Sequence, residues 1–145
     1  MTQSKTTETD ARQDIIKDLK VLVVEDQKEA RSMLRNMLHE MGVTQVFESA
    51  DGREGLNFMD AAFDFVDIVL CDWNMPNMSG VEFLRQLRSV DPDMPFLMIT
   101  GRSDIDSVTE AKASGVTAYI RKPFSAAQLE AKLRVLCHRR QKMMA

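Results

Sequence analysis

The stretch DIVLCDWNMPNMSGVEFLRQLR, residues 67–88, decides how this chain is read. It opens on a short apolar run, 67–71, whose Ile and Val content and length suit a strand buried on both faces. It ends in a segment, Val81 to Arg88, with the three-and-four apolar spacing of an amphipathic helix, and Ser79 stands where an N-cap belongs. Between them lie Asp72 and a polar loop containing a proline. The order is strand, acid, loop, helix.

The same order recurs along the chain. Apolar runs KVLVV (20–24), QVFES (45–49), PFLMI (95–99) and TAYIR (117–121) join 67–71 as predicted strands. The clearest helix places Ala30, Met33, Leu34, Met37, Leu38 and Met41 on one face, with Gly42 as its C-terminal cap. Further helices are predicted at Arg53–Phe63, Asp104–Ser114 and Ala126–Arg140, with Ser125 as an N-cap and Gly115 just past a helix end. Five strand-then-helix units imply right-handed crossovers and a doubly wound α/β fold: a five-stranded parallel sheet with helices on both faces. In such a sheet the site lies outside the carboxyl ends of the strands.

Composition sets the outer bounds. With 145 residues, a net charge of −3 and 28% charged residues, the chain fits one globular domain. The acidic balance argues against nucleic-acid binding, which draws its affinity from Lys and Arg on phosphates. No run reaches the ~18 apolar residues of a membrane span, and the N-terminus lacks the pattern of a signal peptide. Cys71 and Cys137 have no metal-ligand spacing and read as packing cysteines of a reducing compartment. The chain is therefore expected in the cytoplasm. Residues 1–17 read as a flexible, polar N-terminal tail, 18–140 as the folded domain, and 141–145 as a short C-terminal tail.

The residues at the strand ends carry chemistry. Glu25 and Asp26 follow the first strand, Asp72 the third, Thr100 and Gly101 the fourth, and Lys122 with Pro123 the fifth. Any one of these alone reads as a solvated loop residue; together they form a pattern. Two carboxylates ~4 Å apart repel by about 4 kcal/mol near a protein surface, and a divalent cation removes that penalty. Oxygen ligands favour Mg²⁺ over zinc, and neither His39 nor His138 has a partner at ligand spacing. A metal beside Asp72 and Lys122 makes a pocket for a phosphoryl group, with Thr100 as a hydrogen-bond donor and Asp72 as nucleophile.

Glu25-Asp26, Asp72, Thr100-Gly101, Tyr119 and Lys122-Pro123-Phe124 together resemble the signature of the response-regulator receiver domain, in its stand-alone, CheY-like form. The likeness runs from about Leu19 to Leu136. It implies a flavodoxin-like (βα)5 fold with strand order 2-1-3-4-5. It also implies that Asp72 becomes a 4-aspartylphosphate by accepting a phosphoryl group from the histidine of a sensor kinase. Mg²⁺ would be held by Asp26, Asp72 and the main-chain oxygen of Asn74, with Glu25 acting mainly through water. Lys122 would pair with phosphoryl oxygens, and Thr100 with Tyr119 would form the switch. A cis Lys122–Pro123 bond is also implied. Such a protein is no enzyme beyond its own phosphorylation and dephosphorylation. It works as a monomer and signals to an effector protein through its fourth helix, fifth strand and fifth helix.

Some positions stand apart from the pattern. Arg102, two residues beyond Thr100, and Asn74, two beyond Asp72, are candidate modulators of the phosphoryl group's lifetime. Arg102, Asp104 and Asp106 fall on the expected output face, which is more basic in the chemotaxis branch. A motor-type effector, a phosphorelay shuttle and a phosphate sink thus all stay open. Arg134, His138, Arg139, Arg140 and Lys142 complement the dipole at a helix C-terminus. A phosphatase of the haloacid-dehalogenase type would need a second acid where Asn74 stands. A flavin binder would need amides and hydroxyls where Glu25-Asp26-Gln27-Lys28 stands.

Overall fold

The computed structural model describes residues 16–62, 64–101 and 105–144. Among the described residues, strands β1 (Lys20–Val24), β2 (Gln45–Ser49), β3 (Ile68–Asp72), β4 (Phe96–Thr100) and β5 (Ala118–Arg121) are each followed by a helix. The helices are α1 (Lys28–Glu40), α2 (Gly52–Ala61), α3 (Gly80–Val90), α4 (Ile105–Ala113) and α5 (Ala126–Met144). The sheet is wholly parallel in the order β2-β1-β3-β4-β5. This is the doubly wound sheet read from the sequence.

Alternate residues of each strand feed opposite cores. Val21, Val23, Leu70, Leu97 and Ile99 pack with Leu34 and Leu38 of α1 and Leu129 and Leu133 of α5. Leu22, Val24, Val69, Phe96 and Met98 pack with Met59 of α2, Phe83 and Leu87 of α3, and Ala111 of α4. Each face is therefore closed by its own helices, and β3 and β4 are buried from end to end.

The helix ends follow from local chemistry. Ser79 Oγ accepts the Glu82 N–H at 3.2 Å. Ser125 and Gln128 exchange a reciprocal pair at 3.1 and 2.9 Å, a capping box. Gly42 and Gly115 sit at φ 106° and 92°, in the left-handed region that ends helices. Arg88 of α3 reaches the far end of α4: Nε donates to the Gly115 carbonyl at 2.8 Å and Nη2 to Thr117 Oγ1 at 3.1 Å.

Several boundaries differ from the sequence reading. Helix α2 starts at Gly52 because Asp51 caps it, its side chain accepting the Glu54 N–H at 2.9 Å. Met33, placed on the apolar face of α1, is 55% exposed, so the buried stripe narrows to Leu34 and Leu38. Ile16, inside the stretch read as a tail, is fully buried against the α1/α5 core. At the other end α5 runs to Met144, through most of 141–145, since Gln, Lys and Met all propagate a helix.

Candidate functional site

Strand ends bring the acids together. One carboxylate oxygen from each of Glu25, Asp26 and Asp72 lies within 4.8 Å of the others. Asp72 is the last residue of β3 and Thr100 the last of β4. Each is in register with a residue of the next strand, Asp72 with Ile99 and Thr100 with Arg121. The polar side chains thus terminate the ladder from within it. Lys122 arrives just past β5, where its N–H donates to the Thr100 carbonyl at 2.8 Å. Its ammonium stands 3.1 Å from Asp72 Oδ1 and 3.6 Å from Glu25 Oε1. The Lys122–Pro123 peptide is cis.

Charge and burial conflict here. Glu25, only 1% exposed, has its carboxyl pushed from 4.5 up to about 7, by burial first and then by the negative charge of Asp72. Burial likewise raises Asp72, though the hydrogen bond and charge of Lys122 pull it back. For Lys122 burial disfavours the ammonium, but Asp72 and Glu25 outweigh it and leave its pKa above the ordinary value. One ammonium leaves the trio with excess negative charge. Three convergent carboxylates with no His or Cys among them suit a hard cation such as Mg²⁺ and not zinc. The donor set fits the metal that the sequence implies.

The other predicted residues spread out. Thr100 is 4% exposed, whereas Tyr119 is 36% exposed and lies outside the acid cluster, its ring 6.0 Å from Lys132 Nζ. Tyr119, Lys132 and Val135 line an open cleft of about 660 Å³ along β5 and α5. Asn74 is exposed in the loop after Asp72. His39 and His138 are exposed. Arg134 pairs with Glu130 at 3.1 Å, one helical turn away. Arg102 and Asp104 lie outside the described residues, as do residues 1–15 and the side chains of Asp106, Arg139, Arg140 and Lys142.

Two supporting residues escaped the sequence reading. A Cβ on Gly80 would collide with the main-chain oxygen of Asp72, and the Gly80 N–H donates to the Trp73 carbonyl at 2.9 Å. The signal was a glycine directly after the Ser79 cap, where a helix ordinarily places a better former. Arg31 donates from Nη1 to the Glu25 carbonyl at 2.8 Å. Six residues along the chain and across a helix start, it gave no local sign.

Residues 21–134 match the family model of the response regulator receiver domain. The chain is 38% identical over 119 residues to the chemotaxis protein CheY-3 of Vibrio cholerae, covering 81% of this chain and 90% of that protein. It is 35% identical over 124 residues to the chemotaxis protein CheY of Pseudomonas aeruginosa, covering 83% and 98%. Among solved structures, a receiver domain protein from Clostridium thermocellum superposes with a TM-score of 0.81 at 27% identity, covering 86% of this chain and 98% of that one. The Vibrio cholerae chemotaxis protein CheY4 gives 0.75 at 34%, covering 81% and 98%.

Proposed function

This chain belongs to the response regulator receiver family, CheY-like and part of two-component signalling, and on that premise we propose that Asp72 is its phosphorylation site. The phosphoryl group comes from the phosphohistidine of a sensor kinase in a Mg²⁺-dependent reaction. The observation that carries the reading is the trio Glu25, Asp26 and Asp72 with Lys122 3.1 Å from Asp72.

An Asp72 carboxylate oxygen attacks phosphorus, the phosphorus–nitrogen bond breaks, and its electron pair leaves on the donor imidazole. Asp26 and Asp72, with the main-chain oxygen of Asn74, would hold Mg²⁺, and Glu25 would act through water. Bound there, the ion supplies positive charge to the transferring phosphoryl oxygens. Lys122 supports the same oxygens from the side of β5, and the Thr100 hydroxyl donates to one of them. Thr100 and Tyr119 then act as the switch, with the exposed ring turning inward and altering the face of α4, β5 and α5 that an effector reads. The protein works as a cytoplasmic monomer with no reaction beyond its own phosphorylation and dephosphorylation. Among the described residues no helix is long and apolar enough to cross a membrane.

Incubation with acetyl phosphate and Mg²⁺, followed by intact mass measurement, tests the reading. A phosphate-sized gain is expected for the wild type and its loss for Asp72→Asn. A gain that survives Asp72→Asn overturns the assignment.

A further inference from the structure

The Glu25–Asp26 peptide is gripped from outside the acid cluster. Arg31, near the start of α1, holds the Glu25 carbonyl through Nη1 at 2.8 Å, and its Nε stands 3.5 Å from Glu48 Oε1 on β2. Glu48 takes Arg35 on its other oxygen at 3.3 Å. On the opposite side of the same residue, the Glu25 N–H donates to the Ser49 carbonyl at 3.0 Å. Residue 25 is therefore tied to β2 at both backbone ends, directly through Ser49 and indirectly through Arg31 and Glu48. Asp26 begins at the peptide that Arg31 holds, and a planar peptide transmits that grip to the Asp26 Cα.

Two effects of Arg31 oppose each other. As a cation near three carboxylates it repels a second cation, so charge alone would make its removal tighten metal binding. As a planar fork spanning a carbonyl and a carboxylate it fixes geometry. Glu48, shared with Arg35, offsets part of that charge, and the direct hold of Arg31 on the Glu25 carbonyl at 2.8 Å puts the geometric effect in control. We infer that Arg31, oriented by Glu48, is a positioning residue for divalent-cation binding: it holds the Glu25–Asp26 peptide where both carboxylates face Asp72. This rests on the reading of the cluster as a Mg²⁺ site.

Trp73, the single tryptophan and the chain neighbour of Asp72, offers an optical readout. Mg²⁺ is titrated into the full chain, followed by intrinsic fluorescence and by calorimetry, for wild type, Arg31→Ala, Arg31→Lys and Glu48→Gln. The Kd for Mg²⁺ is expected to rise about tenfold in Arg31→Ala, the lower end of what loss of a supporting partner costs a metal site. Arg31→Lys keeps the charge and loses the fork, so it weakens binding nearly as much. Glu48→Gln weakens it about threefold, and adds nothing to Arg31→Ala, because Glu48 acts through Arg31. Tighter or unchanged binding in Arg31→Ala, or wild-type affinity in Arg31→Lys, overturns the positioning role. If Arg31→Ala fails to fold by circular dichroism, the lysine variant decides alone. A wild type that binds no Mg²⁺ by either method overturns the metal reading and this inference with it, so the wild-type titration separates the two failures.

Discussion

The middle of the sheet and its β5 edge meet at the same site but are built differently. Strands β3 and β4 are buried at every residue, whereas β5 buries only Ile120. The middle supplies Asp72 and Thr100, at 8% and 4% exposure; the edge supplies Lys122 and Tyr119, with the Tyr119 ring at the surface. Charge placed in the middle distorts its own protonation, as Glu25 shows. Groups at the edge can change partner at little cost in folding. A device that must hold a reactive carboxylate and also display its state outward needs both.

The largest test of this contrast is Phe83→Ala on α3, where the ring is fully buried against Phe96 at a centroid distance of 5.7 Å. Its loss is expected to cost about 3–5 kcal/mol in urea denaturation, from lost burial and the cavity left behind. A cost below about 1 kcal/mol would mean the middle is not packed as described.

An intermediate effect concerns Glu25. A carboxyl raised from 4.5 to about 7 contributes stability that is complete below pH 4.5 and is lost as pH rises through 7. Without metal, Glu25→Gln is expected to stabilise the fold at pH 8 by on the order of 1 kcal/mol and to do little at pH 4, since burial of a charge is what it removes. Mg²⁺ is expected to raise the wild-type melting temperature more at pH 8 than at pH 5. The opposite trend would count against a strained acid cluster.

The smallest effect belongs to the edge. Val135 on α5 is 52% exposed beside Tyr119, and Val135→Ala is expected within about 0.5 kcal/mol of wild type. A loss above about 1.5 kcal/mol in the same denaturation assay would show this face to be covered, and the contrast would fail.

The sheet was legible because its strands are short apolar runs separated by helical spacing, and QVFES at 45–49 coincides with β2 residue for residue. The third and fourth strands were read one residue early. Asp72 and Thr100 look like the first loop residues, yet the neighbouring strands extend the ladder through them. The acids and Lys122 were legible as a set because a parallel sheet places all strand ends on one edge. Support for that set was not. Gly80 acts by what it lacks, and Arg31 acts on a main-chain oxygen, so neither leaves a side-chain pattern along the sequence. Asp51 and Glu54 did carry the spacing of a capping box and were passed over.

The place of β5 in the sheet has a consequence for synthesis. Of the strands that carry the site, β5 is made last, and among the described residues it pairs with β4 alone. A growing chain therefore displays Glu25, Asp26 and Asp72 before Lys122 exists. The ammonium that pairs with Asp72 comes 50 residues after it. Docking of that strand thus completes the sheet and brings the trio an ammonium in one event, so the ladder between β4 and β5 also offsets part of the site's negative charge.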